Sequence, residues 1–286
     1  MPRPLQRVIA AQRTSDGAGV TLYRSLGQSP FARLDPFLML DEFGSDKPEE
    51  YIAGFPPHPH RGFQTVTYML EGHMLHEDHL GNRGHLKSGG VQWMTAGRGI
   101  IHSEMPQQER GLMRGFQLWI NLPAREKMCP ATYEDIDAAR IPEIAADGAK
   151  IKVIAGSVER AGKRVDGPVT GVTTQPIFFD VSLEPGARFS EALPASHSAY
   201  LYAFEGELSI VSPAGTATLS KRQGGVLGEG EDIVVEACSA GARFLVLAAR
   251  PIGEPVVQYG PFVMNTREEI DQAIRDYQSG RLAAAG

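Results

Sequence analysis

The sequence predicts an all-β protein built from two tandem β-barrels and closed by a short C-terminal helix. Three observations carry this prediction: short apolar runs separated by Gly and Pro, a faint internal repeat, and one amphipathic segment near the end. The chain has 32 Gly and 20 Pro among its 286 residues, spread throughout rather than clustered. Such regular punctuation of short apolar runs is typical of strands joined by tight turns.

The first half of the chain predicts strands divided by glycine-containing turns. The segment Gln64–Leu70 alternates in polarity and is rich in β-branched and aromatic residues, as a half-buried strand is. Two further apolar runs, Gly90–Met94 and Phe116–Leu122, are also predicted as strands. We therefore expect a first barrel over residues 1–130.

Residues 131–150 differ from what precedes them. They are acidic and Ala-rich and contain Pro142 as a break, so we expect a connection with one short helical turn. From Ile151 the strand pattern resumes, and a second barrel is expected over residues 151–265. Its predicted strands are Ile151–Ala155, Ile177–Leu183, Ala199–Phe204, Glu207–Val211, Ile233–Glu236 and Phe244–Ala249.

An internal repeat links the two predicted barrels. The sequence YMLEG at residues 68–72 matches YAFEG at residues 202–206, and each is interpreted as an apolar strand ending in a Glu-Gly turn. The sequence GGV follows each copy at a similar distance, at residues 89–91 and 224–226. Repetition of this kind indicates two copies of one structural unit.

The C-terminal region, residues 266–286, predicts one helix and a tail. Thr266 and Glu269 have the spacing of a capping box, in which each side chain bonds the other residue's backbone N–H. Gly280 is placed to end the helix. Apolar residues recur with helical spacing and predict a face that packs on a barrel without a chemical role: Ile270, Ala273, Ile274 and Tyr277.

Composition and charge exclude several classes of function. The formal net charge is −6 and the 28 basic residues form no long run, which argues against direct nucleic-acid binding and against anionic membrane surfaces. The sequence has no long apolar stretch, so we expect neither a secretory signal nor a membrane span. Cys129 and Cys238 form no CxxC motif, so we expect reduced thiols in a cytoplasmic protein.

Two short motifs predict a metal site. His58-Pro59-His60 and His102-Ser103-Glu104 each place two polar side chains at i, i+2, which is one face of a β-strand. Two such strands side by side would direct three imidazoles and a carboxylate to one point. This set lacks thiolates and suits Fe(II), Mn(II), Co(II), Ni(II), Cu(II) or Zn(II).

The remaining histidines predict no second metal site. His197 is the one histidine of the second half, and a single imidazole is insufficient, so we expect the second barrel to be metal-free. Four others lie in a segment dense with Gly and charge, which is interpreted as a solvated hairpin: His73, His76, His79 and His85. Arg61 and Arg98 flank the metal motifs and are expected to fix loops by hydrogen bonding rather than to bind substrate.

The motifs resemble those of a known family. The stretch GFPPHPHRGFQTVTYMLEG at residues 54–72 resembles the first signature of pirins, QWMTAGRGIIHSEMP at residues 92–106 resembles the second, and QYGPFVMNT at residues 258–266 is also pirin-like. The resemblance implies the cupin superfamily, hence two jelly-roll type barrels with a metal in the N-terminal one. It implies four metal ligands in this chain: His58, His60, His102 and Glu104.

One position departs from the general cupin pattern, which has a metal-binding Glu four residues after the second His. Here that residue is Gln64. On a regular strand Gln64 shares the face of His60, so we expect it to support the site by hydrogen bonding while Glu104 supplies the carboxylate.

The function implied by the resemblance is a metal-dependent dioxygenase that opens the ring of flavonols such as quercetin with O2. Fe(II) is the metal the resemblance favours, and Glu104 is the candidate catalytic base. The expected partners are a small phenolic substrate and O2, and we expect a monomer. Side chains proposed for an apolar substrate slot are Phe55, Phe63, Trp93, Met94 and Phe116.

Two other functions stay open at this point. The same site fits a non-catalytic metal or redox sensor that acts through a protein partner. A sugar-phosphate isomerase would need several basic residues near the site, and only Arg61 and Arg98 are close in sequence.

Overall fold

A computed structural model describes residues 1–29 and 32–282 of the chain. Regular structure in these residues is almost entirely β-strand, which confirms the all-β prediction. The strands up to Asn121 are β1 (Leu5–Ala10), β2 (Gln12–Asp16), β3 (Val20–Arg24), β4 (Phe37–Ser45), β5 (Phe55–His60), β6 (Phe63–Glu71), β7 (His73–Asp78), β8 (Arg83–Lys87), β9 (Val91–Thr95), β10 (Ile100–Pro106) and β11 (Met113–Asn121).

The rest of the chain continues this pattern and adds one α-helix, α1 (Arg267–Gln278), within the described residues. Short 3-10 turns lie at Pro48–Glu50, Ala124–Glu126 and Ala138–Arg140. The later strands are β12 (Thr132–Ile136), β13 (Glu143–Ala146), β14 (Ala149–Ala155), β15 (Ser157–Arg160), β16 (Lys163–Asp166), β17 (Ile177–Leu183), β18 (Arg188–Ala192), β19 (Ser198–Ser212), β20 (Gly215–Ser220), β21 (Gln223–Leu227), β22 (Asp232–Ala249), β23 (Val257–Tyr259) and β24 (Phe262–Met264).

The described residues form two compact units. We call one the histidine unit, which comprises Arg13–Gly27, Phe37–Ala138 and Ile252–Gly286. The second unit comprises Met1–Gln12, Gln28–Pro36 and Ala139–Pro251. Each is therefore discontinuous in sequence, whereas the boundaries expected from the sequence are continuous. For example, β1 pairs with β21 and so belongs to the second unit.

Besides the two-stranded sheet β23-β24, the histidine unit contains two antiparallel sheets. One has seven strands in the order β12-β9-β6-β11-β4-β3-β2, and the other has four in the order β5-β10-β7-β8. Because side chains alternate along each strand, every strand presents one face to the interior. Leu22, Phe43 and Met69 from the larger sheet pack in one core with Met74 and Leu86 from the smaller sheet.

The second unit is built on a nine-stranded antiparallel sheet, and its two longest strands differ from the prediction. The predicted strands Ala199–Phe204 and Glu207–Val211 are one continuous strand, β19, paired with β22 across register shifts at Ala203/Glu205 and Gly206/Leu208. Bulges of this kind bend a strand without ending it. Glu205-Gly206, the second Glu-Gly pair of the repeat, is therefore a bulge. Glu71-Gly72, the first pair, is a turn because β6 ends at Glu71.

Residues 131–150 contain more regular structure than a connection. The predicted helical turn is present as the 3-10 turn Ala138–Arg140. On either side of it, β12 pairs with β9 and β13 pairs with β14. The exposed residues Thr132 and Glu134 alternate along β12 with the half-buried residues Tyr133 and Asp135, so its two carboxylates lie on opposite faces of the strand.

The internal repeat corresponds to equivalent strand pairs. Tyr68 of β6 lies opposite Val91 of β9, and Tyr202 of β19 lies opposite Gly224 of β21, both in antiparallel ladders. Both tyrosines are fully buried in their own units. The repeated motif therefore marks the same core strand in each unit.

Helix α1 confirms the predicted C-terminal element. The Thr266 hydroxyl accepts from the Glu269 N–H at 3.2 Å, and the Glu269 carboxylate accepts from the Thr266 N–H at 2.9 Å. Ile270 and Ala273 are buried against Phe262 and Met264 of β24. Among the described residues, no helix is long and apolar enough to span a bilayer. Cys129 and Cys238 are both free thiols, as expected.

A buried lysine connects three parts of the histidine unit. The Lys127 ammonium donates to the Gly62 carbonyl at 2.8 Å, the Asn121 side-chain oxygen at 2.6 Å and the Val263 carbonyl at 3.0 Å. Lys127 is 1% exposed, and burial lowers its pKa to about 8. The β5–β6 turn, the end of β11 and β24 are thus held by one side chain.

Replacing Thr266 by Ala removes the cap of α1, so we expect its local unfolding free energy to fall by about 1 kcal/mol. Thr266→Ser keeps a hydroxyl acceptor and serves as the control. Native-state hydrogen exchange of the α1 amides measures the difference. Equal exchange rates in the two variants would show that the cap does not stabilise the helix.

Lys127 predicts a pH-dependent stability with a defined sign. Between its lowered pKa of about 8 and the ordinary lysine value of about 10.4, the unfolded chain binds more protons than the folded one. This group therefore makes stability rise with pH in that window. We expect wild type to gain roughly 2 kcal/mol relative to Lys127→Met between pH 8 and pH 10, measured by urea denaturation. If the difference in unfolding free energy between wild type and Lys127→Met stays constant with pH, the lowered pKa of Lys127 is contradicted.

Candidate metal centre

The register between β5 and β10 brings the predicted histidines together. The two strands are antiparallel neighbours in which His58 lies directly opposite His102, and His60 lies opposite Ile100. One nitrogen from each of His58, His60 and His102 lies within 4.8 Å of the others. The three ring centroids are 4.4 to 4.9 Å apart. A three-histidine group able to hold a metal ion is therefore present.

The backbone orients the first imidazole. Nδ1 of His58 lies 2.8 Å from the carbonyl oxygen of Pro56, which can only accept a hydrogen bond. We therefore assign the His58 proton to Nδ1, which leaves a lone pair on Nε2. That nitrogen lies 3.0 Å from Nε2 of His60, so both ring edges point to the same place.

Burial keeps the other two imidazoles neutral. His60 and His102 are each 2% exposed. Burial, and then the neighbouring histidines, hold the pKa of both well below the ordinary histidine value. A metal binds the neutral form of histidine, so this environment favours ligation over protonation.

His102 has one nitrogen that no protein group satisfies. Its Nδ1 contacts His76, while its Nε2 is buried without a hydrogen-bond partner among the described residues. A buried polar atom without a partner is costly, and coordination of a cation relieves that cost. Together with the all-imidazole donor set, this orphan nitrogen fits a divalent transition metal.

Glu104 does not join the close group. The 4.8 Å cluster consists of the three histidines, and a register shift between His102 and Glu104 alters the pairing with β5 at this point. Glu104 is 3% exposed and is held by neutral donors. Its Oε1 accepts from the Thr67 hydroxyl at 3.1 Å, and its Oε2 accepts from Nε2 of Gln117 at 3.3 Å.

A cavity of about 570 Å³ in the histidine unit is lined by His58, His60 and Glu104. Its volume is in the range of small-molecule sites. Of the predicted slot residues, Phe55 lines this cavity, whereas Phe63, Trp93, Met94 and Phe116 do not. The apolar lining comes mostly from distant segments that the sequence did not indicate: Leu22, Leu38, Met39, Phe43, Met74 and Trp119.

The same cavity has a charged part. Arg24 donates to both carboxylate oxygens of Asp41, at 2.8 and 2.7 Å, and to Asp16 at 2.9 Å. All three residues line the cavity. Burial raises the pKa of Asp41, and the Arg24 hydrogen bonds oppose that shift. The Arg24–Asp41 pair therefore places fixed polar groups in a mostly apolar cavity.

Two predictions about residues near the motifs have different outcomes. Arg61 fixes structure as expected, because it donates to the Arg98 carbonyl and, at 2.8 Å, to Asp276 of α1. The expected role of Gln64 is wrong, because its amide donates to Thr95 at 2.9 Å. A turn at Arg61 and Gly62, where Gly62 has φ of +90°, ends β5 and starts β6, so no single strand carries His60 and Gln64.

The predicted hairpin is present, but one of its histidines is not solvated. β7 and β8 pair as a hairpin, and His79 and His85 are exposed. His76, in contrast, is 1% exposed and lies with Nδ1 3.3 Å from Nδ1 of His102. The sequence contains a signal for this position that the prediction did not use. His76 and Asp78 are a third i, i+2 pair, and they lie on β7, the second neighbour of β10.

Comparisons with known proteins agree with the fold. A family model described as pirin matches residues 19–120, and one described as pirin C-terminal cupin domain matches residues 178–283. The pirin-like protein of Caulobacter vibrioides is 48% identical over 98% of this chain and 99% of its own. A Pseudomonas aeruginosa protein named "Putative quercetin 2,3-dioxygenase" is 54% identical over 94% of each chain.

A solved structure is similar over almost the whole length. The crystal structure of quercetin 2,3-dioxygenase from Acinetobacter baumannii has a TM-score of 0.89 and 33% identity, and the match covers 99% of both chains. Strand topology, two cupin domains and a histidine cluster thus define the class of protein as a two-domain cupin. Within that class, the chain belongs to the pirin family.

Replacing His60 or His102 by Ala should abolish stoichiometric metal binding, because each removes one of three converging nitrogens. His85→Ala, an exposed imidazole on β8, is the matched control and should bind metal as wild type does. Metal analysis after Fe(II) or Co(II) loading and desalting, with tag-free protein, measures the content. Full occupancy in His60→Ala would show that the metal lies elsewhere.

Proposed function

We propose that this chain is a metal-dependent dioxygenase that opens the ring of flavonols such as quercetin with O2. The observation that carries the proposal is a group of three histidines, two of them buried and neutral, of which His58 and His60 line a largely apolar cavity. The named relatives and the solved quercetin 2,3-dioxygenase support the same activity.

In this proposal His58, His60, His102 and Glu104 hold one divalent metal. Fe(II) is the proposed ion, and Mn, Co, Ni, Cu or Zn are chemically compatible with the same donors. When bound, the ion supplies Lewis-acid stabilisation of a deprotonated phenolic oxygen. Three neutral ligands and one carboxylate leave a net positive charge, which favours an anionic oxygen at the site.

Glu104 is the proposed base for the substrate hydroxyl. Its side chain lines the same cavity as His58 and His60. Thr67 and Gln117 each donate to one of its oxygens, and Trp119 donates to the Gln117 amide oxygen at 3.3 Å. These bonds fix the orientation of the carboxylate while leaving it lone pairs with which to accept a proton.

The cavity walls suit a flat aromatic substrate. Phe43, Phe55 and Trp119 supply aromatic surface, and Leu22 and Met39 supply aliphatic surface. Apolar walls exclude water, which strengthens every electrostatic interaction inside. The Asp41–Arg24 pair provides fixed acceptors and donors for further phenolic hydroxyls.

The proposal is tested by oxygen uptake with quercetin on protein loaded separately with Fe, Mn, Co, Ni, Cu and Zn. We expect uptake and loss of the flavonol absorbance with at least one metal, and none with the metal-free protein. Absence of turnover with every metal would favour the alternative function, a metal or redox sensor that acts through a protein partner.

Replacing Glu104 by Gln should lower kcat by roughly 100-fold or more while changing metal content much less, because three imidazoles remain and a general base is lost. Glu77→Gln, an exposed carboxylate on β7, is the control and should leave kcat unchanged. Undiminished oxygen uptake with flavonol in Glu104→Gln would remove the base assignment and leave the metal site intact.

A further inference from the structure

His76 contacts the ring edge of His102 that the proposed metal does not use. The two Nδ1 atoms are 3.3 Å apart and the ring centroids 5.0 Å apart. This contact follows from the register of β10 against β7, in which Asp78 lies opposite His102 and His76 lies opposite Glu104. Alternation along β7 places His76 and Asp78 on the same face.

The carboxylate of Asp78 is held rigidly as an acceptor. Its Oδ1 accepts from the backbone N–H groups of Leu80 at 2.9 Å and Asn82 at 3.0 Å. Its Oδ2 accepts from the Asn82 amide at 2.7 Å. The same oxygen lies 3.6 Å from Nε2 of His76, which is longer than a hydrogen bond, and this nitrogen is buried without a hydrogen-bond partner among the described residues. The side chain has no solvent exposure, so its charge acts on His76 with little screening.

From these contacts we assign the ring protons of His76 and His102. A carboxylate facing Nε2 of His76 favours the proton on that nitrogen, which leaves a lone pair on Nδ1 of His76. That lone pair can accept only from an Nδ1–H of His102. The proton of His102 is then fixed on Nδ1, and its Nε2, the buried nitrogen without a partner, carries the lone pair.

The ring of His76 is also clamped in position. Tyr133 stacks on it with centroids 4.4 Å apart and an interplanar angle of 24°. The Tyr133 hydroxyl donates to Asp135, and Gln92 donates to that hydroxyl at 3.2 Å. Gly84 of β8 makes room for this arrangement, because a Cβ there would lie 1.8 Å from the Tyr133 hydroxyl.

We propose that His76 is a positioning residue for the metal centre and that Asp78–His76–His102 is a relay that fixes the tautomer and ring orientation of His102. The inference rests on the proposed metal site and adds to it a residue that does not touch metal or substrate. Outer partners that hold a ligating histidine typically contribute 10- to 100-fold in metal affinity. The Asp78 carboxylate, two residues from His76, completes the relay.

Co(II) titration of the full chain, followed by visible absorbance, tests the relay. His76→Leu removes the acceptor, and we expect its dissociation constant to rise roughly 10- to 100-fold. His76→Asn places an oxygen acceptor near the position of Nδ1 and should recover most of that loss. His85→Leu is the matched control for loss of an imidazole on the adjacent strand and should bind as wild type does.

The outcomes separate this inference from the metal site itself. Wild-type affinity in His76→Leu, or an equal loss in His76→Asn, overturns the relay while leaving the metal centre in place. A wild-type chain that binds no Co(II) overturns the metal centre and the relay with it.

A second measurement does not depend on whether the variants fold. Long-range proton–nitrogen NMR correlations of metal-free wild-type protein report which nitrogen of each histidine carries the proton. We expect His102 protonated on Nδ1 and His76 protonated on Nε2. His102 protonated on Nε2 would overturn the relay whatever the titrations show.

Discussion

The antiparallel register of β10 between β5 and β7 is the constraint on which the candidate site depends. It sets His102 opposite His58 on one side and opposite Asp78 on the other. Because side chains alternate with a period of two, a slip of one residue would turn every one of these side chains to the other face. The three histidines proposed as metal ligands, and the residues that contact them, are thus placed by one backbone ladder rather than by loops.

Regular pairing is interrupted near this ladder, at Glu104. The register shift between His102 and Glu104 coincides with a carboxylate that is held by Thr67 and Gln117 and lies outside the close histidine group. A carboxylate that is near the metal position but separately held suits a group that accepts a proton. In the proposed site the three imidazoles bear the larger part of metal binding, and Glu104 is the proposed base.

Much of the site could be predicted because strand alternation is local. The spacing of His58 and His60, and of His102 and Glu104, determines which side chains share a face as soon as both segments are strands. The role of His76 could not be predicted in this way, because it depends on which strand pairs with β10. The prediction that Gln64 supports the site was wrong for a local reason. It assumed one strand through His60 and Gln64, and the turn at Gly62 breaks that strand.

The same distinction applies to the fold: features set by short sequence patterns could be predicted, and features set by contacts between distant segments could not. The strands of the first half, the capping box at Thr266 and the repeated Tyr68 and Tyr202 strands follow from short patterns. The discontinuous units, the bulged β19 and the cavity walls at Leu22, Met39 and Trp119 depend on pairings between distant segments. No periodicity within a single segment reports such pairings.

The proposed metal centre depends on the β5–β10 register, which brings His58, His60 and His102 together. Crystals of the metal-loaded protein, with anomalous diffraction recorded at the absorption edge of the loaded metal, test it most directly. We expect one strong anomalous peak within bonding distance of a nitrogen from each of these three histidines. A peak elsewhere, for example at the exposed His73–His85 pair of the hairpin, or no peak at the three histidines, would contradict it.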